Sequence, residues 1–151
     1  MLSLETALRL LVIGQQWLIA GIFLTGDGNR GARLSGALLL LSVSAYLLIS
    51  DAVLHDALGL LLSVVTLLAI IVPHSLWLFA RAVFEVPWPR WWVLAVFVLP
   101  AIGAWAIFIG GEAFTPQVAA IANAAMRIAS LVIVIHALAI AAQGRRWPMR
   151  G

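Results

Sequence analysis

Five apolar stretches, each near the length of a bilayer crossing, take up most of this sequence. They run from Thr6 to Leu24, Leu34 to Ser50, Ala57 to about Phe84, Trp91 to Gly110 and Val118 to Ala142. A spanning helix needs roughly 20 mostly apolar residues. The second stretch is near the short end of that range, and the third is long enough for its last turn to emerge among headgroups. Backbone groups in lipid must be satisfied within their own segment, so these stretches are expected to be helical. Strict alternation is absent, which argues against a transmembrane barrel. Composition excludes the soluble alternatives: 64% of the residues are hydrophobic and 10% charged, against about 45–50% and about 25% in soluble domains. A soluble globule of this size could not hide that surface. A soluble enzyme, a free-standing nucleic-acid-binding domain and a disordered tail are thereby ruled out. The expected fold class is all-α: one polytopic membrane helix bundle over residues 1–151, with about five transmembrane helices.

The breaks between stretches carry turn chemistry. Gly26-Asp27-Gly28-Asn29-Arg30-Gly31 is a polar, Gly-rich loop. Ser50 and Asp51 interrupt the second stretch, and Asp56 is a candidate cap for the third helix. Pro87-Trp88-Pro89 forms a rigid elbow, and Gly110-Gly111-Glu112 through Pro116 separates the last two stretches, with Pro116 suited to a helix start. Short connections make neighbouring helices antiparallel. Met1 to Leu4 lacks the positive region of a signal peptide, so the first span is expected to be retained.

Charge sets an orientation. All nine basic residues are Arg and there is no Lys. They are spread along the chain and form no basic patch of the nucleic-acid kind. Arg30, Arg33, Arg81, Arg90, Arg145, Arg146 and Arg150 fall on one side of the alternating spans, and only Arg9 flanks the other. By the positive-inside rule the N-terminus is outside and the C-terminus cytoplasmic. Trp88, Trp91 and Trp92 cluster at the cytoplasmic boundary with Arg81, Arg90, Arg145 and Arg146, as interface anchors do.

Few polar groups lie inside the spans. Arg127 is about 15 Å from the outer end of the fifth stretch at helical rise, with Asn123 one turn before it. Such a charge is costly and usually faces the bundle, where Asp51, Asp56 or Glu112 could pair with it. The alternative is a snorkel to the outer headgroups. His74 follows Pro73, whose missing N–H bends the helix; it could hydrogen-bond a freed carbonyl or sense protons. Gln15 and Gln16 can bond across helices, and His136 is expected to make an interhelical hydrogen bond. Ala120/Ala124 and Ala137/Ala141 are small-xxx-small steps. Glu5 and Arg9 stand at i,i+4. Arg127, Asn123, His74 and Gln16 are the candidate ligand-binding residues. His55 between Asp51 and Asp56 lacks metal-site spacing. The chain has no Cys, which removes disulfides and thiol chemistry. No nucleophile set, HExxH motif, phosphate loop or carboxylate pair appears, so no catalytic residue, metal or cofactor is expected and the chain is not read as an enzyme.

Three runs carry a family resemblance: Leu41-Ser42-Val43-Ser44-Ala45-Tyr46-Leu47-Leu48-Ile49-Ser50, Val72-Pro73-His74-Ser75-Leu76-Trp77-Leu78-Phe79-Ala80-Arg81-Ala82-Val83-Phe84, and the span from Arg127 to Arg146 containing His136-Ala137-Leu138. In that order they resemble the N-terminal membrane region of a bacterial group of AraC-family transcriptional regulators, and they cover most of the chain. The Trp-Leu-Phe-Ala-Arg segment is the most specific. The chain departs from the family at Glu85-Val86-Pro87-Trp88-Pro89-Arg90, where the family has an acidic stretch. The family continues past the position of Arg146 into further spans and a helix-turn-helix domain, and this sequence stops at Gly151. The resemblance implies a sensory or scaffold domain in the bacterial inner membrane, with the lipid bilayer as partner and no nucleic acid bound through this chain. It leaves a homo-oligomer open. The implied mechanism is an outer-half or lipid-derived ligand that biases packing around Pro73, His74 and Arg127. A small transporter or channel subunit is the alternative.

Overall fold

In the computed structural model, residues 3–86, 91–110 and 115–144 are described. Residues 91–97, 100, 107, 109 and 144 are described as backbone only. Ser3 caps the first helix, its hydroxyl accepting the Thr6 amide at 3.0 Å. This helix, α1, runs Leu4–Thr25, about 33 Å at helical rise. Asn29 then caps α2, Arg30–Ile49, accepting from the Gly31 and Ala32 amides. Arg30 and Arg33 therefore lie inside the helix, which starts four residues before the apolar stretch. Apolarity marks the hydrocarbon, while the cap marks the helix.

The region of the third stretch departs most from expectation. Asp51, rather than Asp56, is the cap: its carboxylate accepts the Val53 and Leu54 amides at 3.0 and 3.2 Å and starts α3, Ala52–Ala57. Asp56 lies within α3 and is exposed. Gly59, at φ +49°, then breaks the chain direction. A left-handed φ is costly for other residues, and here it ends the α3 direction. A 3₁₀ turn over Gly59–Leu61 leads into α4, Leu62–Ile70, and then α5, Val72–Val83. The expected single span over 57–84 is thus a pair of helices bent by 47° at Ile71. Pro73 is the reason, since it lacks an N–H and its ring collides with the carbonyl four residues back, at Ala69. After Val83 the Val86 amide bonds the Arg81 carbonyl at 2.9 Å, with Glu85 left-handed at φ 52°.

Beyond this lie α6, Trp91–Gly110, and α7, Pro116–Gly144. Pro116 opens α7 as the sequence suggests, and the Thr115 hydroxyl accepts the Val118 amide at 3.4 Å. Every element among the described residues is helical. The helices α1, α2 and α7 are each long and apolar enough to cross a membrane, and the bent α4–α5 pair adds a fourth if it counts as one span.

The central helix is α2, which packs against α1, α3, α4 and α5; α7 packs on α5 and α6, and α6 on α4. The buried residues of α2 are small: Ser35, Gly36, Ala37, Ser42, Ser44 and Ala45. Helices in lipid gain nothing hydrophobic by associating, so close approach over small residues and interhelical hydrogen bonds hold them together. At Gly36 a Cβ would meet Phe23 at 3.0 Å and Phe79 at 3.1 Å, so rings from α1 and α5 close over the glycine. A second core joins α5 to α7 through Trp77, Ala80, Ile133, Ala137 and Ile140. The outward face of α1 carries Leu4, Leu8, Leu11, Leu18 and Ile22, all exposed, as lipid contact requires.

Candidate functional site

The bundle has two chemically distinct ends. At one, α1 begins and α2 ends. There the Asp51 carboxylate, only 9% exposed, accepts the Thr6 hydroxyl at 2.9 Å and lies 3.9 Å from Arg9 Nε. Arg9 also donates to Ser50 Oγ and Glu5 Oε1, each at 2.6 Å. The Glu5–Arg9 pair is thus present as its spacing suggests, extended into a network with Ser50, Asp51 and Thr6. Asp51 is held below the ordinary carboxylate range, first by the Leu54 amide and then by the Thr6 hydroxyl; burial opposes the shift, and the Val53 amide and Arg9 add to it.

At the other end, Arg33 donates to the Phe23 carbonyl at 3.0 Å and to the Leu24 carbonyl. Asn29 reaches the Ala82 carbonyl at 3.3 Å, tying the α1–α2 loop to the end of α5. Arg81 stands over the Trp77 ring at 4.9 Å. A cavity of about 250 Å³ opens here beside Asn29, Leu78, Arg81 and Glu85. Of the other expected anchors, Trp88, Arg90, Arg145 and Arg146 lie outside the described residues, and Trp91 and Trp92 are described as backbone only.

Between the ends, polar side chains join helices in pairs. Gln16 accepts the Ser44 hydroxyl at 2.6 Å, linking α1 to α2. The Trp77 indole donates to His136 Nδ1 at 2.8 Å, linking α5 to α7. Trp105 donates to the Ser63 carbonyl at 2.8 Å, linking α6 to α4. The interhelical roles expected of Gln16 and His136 are therefore present.

Arg127 and Asn123 do not face the bundle interior. Both are exposed on α7, and among the described residues Arg127 has no ion pair. Asp51 is already engaged by α1, Asp56 is exposed beside His55 at 3.3 Å, and Glu112 lies outside the described residues. The four candidate ligand residues accordingly do not form one cluster: Gln16 serves the α1–α2 seam, His74 is buried on α5, and Arg127 with Asn123 lies on the α7 surface. Of the small-residue steps, Ala137 is buried, whereas Ala120 and Ala124 are exposed. Among the described residues no group of three or more His, Asp and Glu could hold a metal.

An apolar crevice of about 420 Å³ lies at the α4–α5 bend. Tyr46 and Ile49 of α2, Ile70 and Pro73 at the bend, and Met126 and Ser130 of α7 line it. His74 and Ser75 are buried on the first turn of α5, where Ser75 Oγ bonds the Val72 carbonyl at 2.8 Å. The residues around Pro73 thus meet α2 and α7 at one place. Nothing in the sequence marks Tyr46 and Ile49 as its far wall, since only the packing of α2 against α4 brings them there.

The fold and this crevice define an all-helical protein whose helices can cross a membrane. Compared with known protein families, curated proteins and solved structures, the chain finds no match in any of the three.

Proposed function

We propose that this chain is a sensory or scaffold domain in a bacterial inner membrane, of the kind that precedes the DNA-binding domain in membrane-bound AraC-type regulators, and that it binds no DNA itself. The observation that carries the reading is the crevice at the α4–α5 bend, walled by α2 and α7. A proline-bent helix pair is an element able to hold two packings, and a ligand that binds one packing better shifts the population toward it. The bend leads through α5 to Arg81 and, across the Trp77–His136 bond, to the last part of α7. In this reading there are five crossings, with the end bearing Arg30, Arg33 and Arg81 facing the cytoplasm and the Glu5–Arg9–Asp51 end outside.

The test has two parts. Reporter fusions after Thr25 and after Gly144 should both report cytoplasmic positions; an outside position for either overturns the orientation. The purified chain in proteoliposomes should pass no solute, while its melting temperature should move with lipid composition. Solute flux that falls in Arg127→Leu would replace this reading with a transporter.

A further inference from the structure

The proposed sensor needs a ligand class, and two independent features of α7 and the bend supply one. The first is Arg127: exposed, without an ion pair among the described residues, about 16 Å along α7 from Pro116. A guanidinium at that depth is costly against hydrocarbon, so it calls for a polar partner or a headgroup that its long side chain can reach. The second is the crevice, which is apolar almost throughout and about 420 Å³ in volume, within the size range of small-molecule sites.

The helical register puts the two side by side. Met126 and Ser130 line the crevice. At about 100° per residue, Asn123 and Arg127 lie within about 60° of Ser130 around the α7 axis, exposed and just outside the residues that line the crevice. Helical side chains lean toward the N-terminus of their own helix, so the Arg127 guanidinium is carried toward the Asn123 turn. That turn is nearer the Pro116 end of α7. One side of the site is thus a cation with a neighbouring amide, and the other is an apolar slot running to Pro73.

We propose that this is a binding site for an anionic phospholipid: Arg127 and Asn123 hold the phosphate, and one acyl chain fills the crevice against the α4–α5 bend. Charge complementarity selects the occupant. A neutral apolar molecule leaves Arg127 unmatched, and a free phosphate leaves the crevice empty. The proposal rests on the sensor reading only for its consequence at the bend; the binding itself stands on the two features above.

The chain has no cysteine, so Leu131→Cys, exposed on α7 next to the crevice residue Ser130, offers a single attachment point for an environment-sensitive fluorophore. The full chain is placed in phosphatidylcholine vesicles doped with acyl-brominated phosphatidylglycerol or, at equal mole fraction, acyl-brominated phosphatidylcholine. Brominated phosphatidylglycerol should quench the label more strongly. Arg127→Gln should cut that preference about fivefold, the scale of one basic side chain at an anionic surface, and Arg127→Lys should retain most of it. Inorganic phosphate should not compete. Equal quenching by the two lipids, or an undiminished preference in Arg127→Gln, overturns the proposal. A selective lipid that leaves the distance between spin labels at Leu60 and Val83, on either side of the bend, unchanged supports the site and removes the sensor reading. A melting temperature that follows lipid composition, with unselective quenching, does the reverse.

Discussion

The indole N–H of Trp77 on α5 donates to Nδ1 of His136 on α7 at 2.8 Å, so that ring nitrogen carries no proton and the imidazole is held in its Nε2–H form. The two rings lie 6.1 Å apart, tilted by 36°, above the core shared by Ala80, Ala137 and Ile140. This bond is a polar fastening of the α5–α7 seam. Trp77→Phe and His136→Ala should each lower unfolding stability in detergent micelles. Their double-mutant cycle should return a coupling of about 0.6 kcal/mol, and not above about 1.7, the range of interhelical bonds in lipid. A coupling near zero would show that the seam is held by packing alone.

At Gly36 side chains from α1 and α5 close on α2. Phe23 and Phe79 meet edge to face over it, with centroids 6.1 Å apart and planes at 85°. Because each ring blocks the other, neither can yield to a new side chain. Gly36→Val should cost about 1–3 kcal/mol by overpacking, and Phe79→Ala in that background should restore part of the loss. Gly14 is the control: a Cβ there meets nothing within 4 Å. Gly14→Ala should stabilise α1 by up to about 1 kcal/mol through helix propensity. Thermal unfolding of the three variants decides the matter.

Two serines on the small-residue helix α2 should behave oppositely. The single hydroxyl proton of Ser44 is shared between Gln16 Oε1 at 2.6 Å and the Leu40 carbonyl at 2.9 Å. Ser42 is fully buried, and its hydroxyl has no hydrogen-bond partner among the described residues. Removing a bonded hydroxyl strands Gln16, whereas removing an unsatisfied one relieves a cost already incurred. Ser44→Ala should therefore destabilise the bundle by about 0.5–1.5 kcal/mol, while Ser42→Ala should leave it unchanged or firmer in the same unfolding assay.

The corner built on Asp51 is acid-sensitive in a defined direction. Its folded carboxyl titrates below the ordinary value of 3.8, chiefly through the Leu54 amide and the Thr6 hydroxyl. A depressed carboxylate contributes stability that is complete above the unfolded value and is lost as pH falls through the lower folded value. Amide exchange in α3 should accordingly rise, beyond the intrinsic pH trend, only below about pH 3.8. Asp51→Asn should abolish that acid step.

Local apolarity is the part of this fold that the sequence makes legible. The helices from Leu4, Trp91 and Pro116 fall within a few residues of their apolar stretches, because hydrocarbon length dictates both. The capping role of Asp51 is harder to read, since Ser50, Asp51 and Asp56 all have capping side chains until the φ of Gly59 separates α3 from α4. The facing of Arg127 is illegible. A charge in an apolar run signals cost, yet which side of α7 it occupies depends on how α5 and α6 pack there. The importance of α2 is visible in principle as Ser35-Gly36-Ala37 with Ser42, Ser44 and Ala45, a denser small-residue face than the Ala120/Ala124 step on α7.

Pro73 is the residue on which the geometry at the centre turns. The 47° bend divides what would otherwise be one long helix, with Ile71 at the break, φ −85° and ψ 5°. Proline withholds the hydrogen bond that would cross this point and repels the Ala69 carbonyl. Alanine would remove both effects. The straightened helix could then no longer keep Ile70 and Pro73 against Tyr46 and Met126, so the crevice should narrow. Spin labels at Leu60 and Val83, both exposed, measure this directly: Pro73→Ala should lengthen the distance between them by several ångströms. Should the distance stay unchanged, the bend is imposed by the packing of α2 and α7 rather than by the proline, and Pro73 only accommodates it.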